Sequence, residues 1–233
     1  MFINAALRSD ALRAWPLLPV PSEADASALV IAAREPVTPD LLAEGRLYRV
    51  ETGCLALCRQ VDAERRQILD IVGPGRLIDQ GLANRLPCQI VAFAPTRLAP
   101  VDAPSIGLEA LAAAHQQVML DRALGHLTRL GRLGAGERVA EALLDLAGQY
   151  APQACFKGEG SEAFPFHLSR GDLADWLGLT LETVSRCMSR LKQDGVIDFG
   201  KGPSLTVLDR AALTEIARGS RKLQALYAPR QAG

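Results

Sequence analysis

The chain has 233 residues, 48% of them hydrophobic and 22% charged, with 26 basic residues against 26 acidic ones. Such a composition belongs to a globular protein with material for one large core or two small ones, and it excludes collagen, coiled-coil rods and disordered chains. A net charge of zero gives no bulk electrostatic hint of a nucleic-acid partner.

The longest uninterrupted apolar run, residues 28–33, falls far short of the roughly 20 residues that a membrane helix needs, so no membrane partner is expected. The N-terminus, MFINAALRSDALRAW, has no basic head ahead of an apolar stretch and does not read as a secretory signal. Cys54, Cys58, Cys88, Cys155 and Cys187 are odd in number and scattered, which argues against a disulfide framework and for a reducing cytoplasm.

Residues 16–39 are rich in Pro, Ala, Ser and acids. Within them the pattern predicts a short helix over 22–35, capped by Ser22, with Ala26, Leu29, Val30 and Ala33 as its apolar face. Between 45 and 101 the pattern changes to short strands. They are carried by Leu47, Tyr48 and Val50; by Cys54, Leu55, Leu57 and Cys58; by Ile68, Leu69, Ile71 and Val72; by Ile90, Val91 and Phe93; and by Leu98 and Val101. Gly53, Asp62, the Gly73-Pro74-Gly75 triplet, Pro87 and Pro95 read as the turns between them, a spacing that predicts a small antiparallel barrel or sandwich.

After Pro104 the texture becomes helical. Leu111, Val118, Leu120, Leu124, Leu127 and Leu130 mark an apolar stripe with no strong breaker before Gly131. A helix of roughly 25 residues, about 37 Å long, exceeds what a small barrel can cover. Its uncovered stripe needs a partner, and the same helix from a second chain is the simplest one, which predicts a homodimer. A second helix follows with Val139, Leu143, Leu144 and Leu146 inward, then a Gly- and Glu-containing loop over 152–165. The predicted organisation is α+β: a barrel-like domain with its N-terminal helical segment over 1–103, the dimerisation helix over 104–133, and a helical domain with a wing over 134–233.

The informative stretch, HLSRGDLADWLGLTLETVSRCMSRLKQDGVIDF, lies at 167–199. Ser169 with Asp172 three residues on is a capping signature for a helix that buries Leu173, Ala174 and Leu177. Gly178 permits a tight left-handed turn. Thr180 caps the next helix, whose Val184, Met188 and Leu191 recur at steps of four and three and define a core face. Glu182, Ser185, Arg186 and Ser189 fall on the other face, where a recognition helix meets base edges in the major groove. Arg186 suits the O6 and N7 of guanine, Glu182 the amine of cytosine, and Ser185 is short enough to admit a thymine methyl. Ser169, Arg170, Thr180, Thr183 and Arg190 are placed for phosphate contacts, as is Lys201 at the tip of a hairpin wing formed by 196–199 and 204–208. No G-x-S-x-G, His/Glu metal pattern or phosphate loop appears, so no enzymatic activity is expected.

LADWLGLTLETVSRCMSRLKQDGVI resembles the DNA-binding domain of the Crp/Fnr superfamily. Upstream, GRLYRVETGCLALCRQ and RRQILDIVGPGRLID resemble the family's cyclic-nucleotide-binding-like β-roll, and GRLGAGERVAEALLDLA resembles the helix that follows the dimerisation helix. The resemblance implies a β-roll, a long dimerisation helix and a C-terminal winged helix-turn-helix. It implies base reading by Glu182 and Arg186. Ser185 together with Leu181 is the combination of the Fnr/FixK branch, which implies a TTGA-type palindrome read by a homodimer, an activator role and RNA polymerase as a partner. Two half-sites about 34 Å apart require two symmetric domains.

The sensor domain departs from the family's ligand-binding patterns. Pro74-Gly75 is followed by Arg76-Leu77-Ile78-Asp79, and the later site reads Leu86-Pro87-Cys88-Gln89. Asp79 imitates the acid and Arg85 lies nearby, but the matched pair that grips a cyclic phosphate is missing. The N-terminal cysteine array that holds an iron–sulfur cluster in Fnr proteins is absent too, since no cysteine precedes Cys54. His115, His126 and His167 show no haem-pocket pattern, so no cofactor or metal is assigned. Between Glu35 and Tyr48 the chain is shorter than the family's entry to the barrel and is interrupted by Pro36 and Pro39, which predicts a trimmed β-roll that needs no small effector. Cys187 leaves two readings: a small helix residue without a switch role, or a thiol whose oxidation adds negative charge near phosphates. The alternatives are a ligand-gated sensor of the same superfamily and a sensor acting on a protein partner.

Overall fold

In the computed structural model of the chain the described residues are 28–85, 88–101, 105–151, 155–156, 161–200 and 202–223. They divide into two compact units, Met1–Arg129 and Leu130–Gly233. The first holds an antiparallel sheet of β1 (Leu29–Ile31), β2 (Leu47–Gln60), β3 (Arg66–Val72), β4 (Leu77–Asp79) and β5 (Gln89–Pro100), in the order β1-β5-β2-β3 with β4 also on β2. A short α1 (Gln80–Arg85) follows β4, and most of α2 (Ser105–Arg132) belongs to this unit. Val50, Leu55, Leu57, Val72, Ile78, Ile90 and Leu98 form its core, with Met119 of α2 packed against it.

The expected helix over 22–35 is not what forms. Leu29–Ile31 is a strand paired antiparallel with Thr96–Leu98, and 22–27 lie outside the described residues. A short run such as LVI suits a strand or a buried helix turn equally, and the sheet edge of β5 decides it.

Gly53 and Pro95 are not turns either. They sit inside two long strands, whose register shifts three times between Val50 and Leu55. Gly53 has φ +97°, and a Cβ there would collide with Pro95 O and Thr96. Thr96 bridges the irregularity: its Oγ1 accepts from Cys54 N at 3.1 Å and donates to Ala94 O at 2.8 Å. A bulge tolerates a glycine at positive φ and a proline without an N–H, where a regular ladder tolerates neither. Asp79, the candidate imitation of the effector acid, instead caps α1 by accepting from Leu82 N.

One polar cluster ties β3 to α2. Asp70 is buried, and it accepts from Arg122 Nε at 3.0 Å, Arg122 Nη2 at 2.6 Å and Arg76 Nη2 at 2.9 Å. Burial pushes its carboxyl up, but the charges and hydrogen bonds of Arg122 and Arg76 outweigh this and hold it well below the usual carboxylate range. His115 of α2 is buried as well. Burial, followed by the charge of Arg76, lowers its pKa to about 4 against the opposing pull of Asp79 and Asp70.

A lowered folded-state pKa means that the unfolded chain takes up this proton first. Stability should therefore fall as pH drops from about 6.5 to about 4, and this contribution should be constant below. The shift corresponds to about 3 kcal/mol. Urea unfolding across that range is expected to show a smaller loss in His115→Leu than in wild type; equal losses would refute the assignment.

The second unit contains α3 (Ala135–Tyr150), a sheet of order β6-β7-β9-β8, and three further helices. Its strands are β6 (Cys155–Phe156), β7 (Glu162–Pro165), β8 (Ile197–Phe199) and β9 (Ser204–Val207); its helices are α4 (Arg170–Leu177), α5 (Leu181–Gln193) and α6 (Arg210–Ala217). The expected loop over 152–165 thus carries two short strands, because β7 adds to the wing through Phe164 opposite Leu205. Val139, Leu143, Leu146, Trp176, Leu177, Val184, Met188 and Leu191 are buried. Leu144 is only half-buried.

Candidate nucleic-acid interface

The helix pair α4–α5 is set by its caps. Ser169 Oγ accepts from Asp172 N at 3.0 Å, while Asp172 Oδ2 accepts from Ser169 N at 2.8 Å. This reciprocal box satisfies two of the donors that a helix start leaves open. Gly178 ends α4 in the left-handed conformation, at φ 60° and ψ 42°. Thr180 then caps α5 by accepting from Thr183 N at 3.2 Å. Arg138 of α3 braces the corner from behind: it donates to Leu177 O at 3.1 Å, to Leu130 O at 2.7 Å and to Leu133 O at 2.8 Å. Charge-assisted bonds to three carbonyls near helix ends hold α4 against the last turn of α2.

This framework leaves one face of α5 in solvent. Glu182 and Ser189 are exposed, Arg186 is exposed and Ser185 half-buried. Glu182 and Arg186 form an ion pair with each other across one helical turn. In solvent such a pair is weak, so both groups remain open to exchange partners.

The phosphate candidates are less uniform. Thr180 and Thr183 share a hydrogen bond between their hydroxyls at 2.8 Å. Ser169 donates its hydroxyl proton to Asp172 at 2.7 Å, which engages its one side-chain donor. Arg190 is paired along its own helix with Asp194 at 2.9 Å, so its charge is largely compensated. Arg170 is half-buried and lies over the Phe199 ring at 4.5 Å. Lys201 lies outside the described residues. Cys187 is half-buried and its thiol is pushed up by burial, which holds less of the reactive thiolate at neutral pH.

Sequence reading missed Phe199 and Lys192. The Lys192 Nζ also lies over Phe199, at 5.4 Å, and pairs with Asp198 at 2.9 Å. The signal available was an aromatic residue ending the first wing strand beside two basic positions. Among the described residues no group of three or more His, Cys, Asp or Glu side chains is placed to hold a metal ion, and no helix is long and apolar enough to cross a membrane.

The chain is similar to known proteins. Residues 137–216 match the Crp-like helix-turn-helix domain. The chain is 32% identical over 185 residues to the nitrogen fixation regulation protein FixK of Azorhizobium caulinodans, covering 76% of this chain and 73% of that one. It is 33% identical over 183 residues to the transcriptional activator protein FnrL of Cereibacter sphaeroides, covering 72% and 71%. The solved structure of FixK2 from Bradyrhizobium japonicum superimposes with a TM-score of 0.66 at 26% identity, over 82% of this chain and 96% of that one. A recognition-type helix held by a capped corner, in a chain that keeps this likeness over most of its length, makes it a member of the Crp/Fnr family on its FixK/FnrL side, a family of DNA-binding transcription regulators and not of enzymes.

Proposed function

We propose that the chain acts in the cytoplasm as a homodimeric transcription activator that reads a TTGA-type palindrome through Glu182, Ser185 and Arg186 and contacts RNA polymerase at the promoter. The observation that carries the reading is the solvent-facing Glu182–Ser185–Arg186 stripe on a helix whose other face is buried. The name of one relative, a nitrogen fixation regulation protein, supports target genes of nitrogen fixation.

Dimerisation is supported by α2, on which Leu120, Leu124 and Leu127 are 53%, 53% and 65% exposed at steps of four and three. Leu111 and Val118, the other expected dimer residues, are half-buried and lie off that stripe. Independence from a small effector is supported by the Asp70 cluster. An internal carboxylate already bridges Arg76 beside the Pro74-Gly75 turn to Arg122 on α2, the kind of link an anionic ligand would otherwise supply.

Selection of binding sites from random duplex DNA, with reduced and with peroxide-treated protein, tests the reading. A TTGA palindrome is the expected product. Arg186→Ala is expected to lose about 1–3 kcal/mol at the half-site guanine and to relax discrimination there. A loss of equal size on every sequence would remove Arg186 from base reading. A Cys187-dependent loss after peroxide would add redox control to the proposal.

A further inference from the structure

Beside the recognition helix, the wing and the start of α4 enclose a cleft of about 270 Å³, lined by Phe166, Leu168, Ser169, Arg170, Phe199 and Pro203 among others. Arg170 is the cation of this cleft. Burial is the sole cause that shifts its guanidinium, and among the described residues no carboxylate pairs with it. What holds it is the Phe199 ring at 4.5 Å. The second cation on that ring, Lys192, has its charge met by Asp198 at 2.9 Å. The two cations therefore differ: Lys192 is exposed and already faces a carboxylate, whereas Arg170 is a half-buried positive charge oriented by an aromatic face and without an anion.

An arginine left to itself samples many rotamers, and ordering it on binding costs entropy. A ring that already fixes the guanidinium plane removes part of that cost, as preorganisation does in general. The missing partner is an anion, and in a protein that binds duplex DNA beside this cleft the anion at hand is a backbone phosphate. We propose that Phe199 is a positioning residue for DNA binding: its ring presents Arg170 to a phosphate, so that the wing contributes affinity through an aromatic side chain that itself touches no base. The inference rests on the DNA-binding reading above.

The full-length protein is titrated with a fluorescent duplex carrying the selected palindrome over a series of KCl concentrations. Arg170→Ala is expected to reduce the slope of log K against log salt by about two per dimer, one counterion for each protomer. Phe199→Leu is expected to weaken binding about 5- to 30-fold, from two cation–π contacts per dimer, and Phe199→Tyr, which keeps the ring, is expected to stay near wild type. In the Arg170→Ala background, Phe199→Leu should add little, because one contact has already been removed.

Independent, multiplying losses would overturn the proposal, as would a Phe199→Tyr variant as weak as Phe199→Leu. Should Phe199→Leu fail to fold, Arg170→Lys supplies the same test. It keeps the charge and loses the planar stack, so weaker binding is expected and wild-type binding would overturn the idea. A wild-type protein with no salt-dependent duplex binding would overturn both readings. Wild-type binding with a full slope that survives Arg170→Ala would overturn this one alone.

Discussion

Asp70→Asn should destabilise the folded chain by about 3–5 kcal/mol, as much as the loss of a large core side chain. The substitution keeps the shape of the side chain and removes its charge. Arg76 and Arg122, with side chains only 12% and 8% exposed, are then left as two buried cations facing each other. Most domains have only about 5–15 kcal/mol to lose, so the variant approaches the limit of folding. The pH dependence carries a sign. A carboxyl held below its ordinary range contributes fully above the unfolded pKa of about 4 and loses that contribution only as pH falls through its lower folded value. Wild type should therefore keep the cluster at pH 4, while Asp70→Asn lacks it at every pH. Urea denaturation at pH 7 measures the difference, and a loss below about 1 kcal/mol would refute the role. Replacing all three members by apolar residues of similar volume should recover much of the loss, since the cost lies in the unpaired charge more than in the missing bridge.

That cluster also marks where sequence reading stops. Asp70 is an acid in an apolar strand, and its partners lie 6 and 52 residues away. No local pattern announces such a contact. The α4–α5 corner was legible because its determinants are local: the Ser169–Asp172 box, Gly178 and the Thr180 cap all act within a few residues of one another. Gly53 and Pro95 misled for the converse reason. Each is turn chemistry in isolation, but they meet across β2 and β5, where a bulge uses both. The strand at Leu29–Ile31 depends in the same way on a β5 edge some 65 residues later in the chain. Among the site residues, the base-reading face followed from helical periodicity. The unequal status of Arg170 and Arg190 did not, because it is decided by which neighbour, Phe199 or Asp194, each guanidinium meets.

Leu124→Asp should separate the protomers of the proposed dimer while leaving each one folded. Leu124 is 53% exposed, between Leu120 and Leu127 on the outer face of α2, so the monomer gives up little core packing when it is replaced. In a symmetric interface the same substitution appears twice near the axis. It removes apolar burial worth about 1 kcal/mol on each side and sets two carboxylates close together in a desolvated seam. A weakening of about 3 kcal/mol or more follows, which is over 100-fold in the dimer dissociation constant. DNA binding should fall further than any single loss of a base contact would cause, because one protomer reaches only one half-site. Sedimentation gives the oligomeric state and circular dichroism the fold. Titration with a full palindrome and with a single half-site gives the consequence for DNA: wild type should prefer the palindrome strongly, and Leu124→Asp should bind both duplexes alike. A variant that remains dimeric and keeps the palindrome preference would place the dimer contact elsewhere than on this stripe.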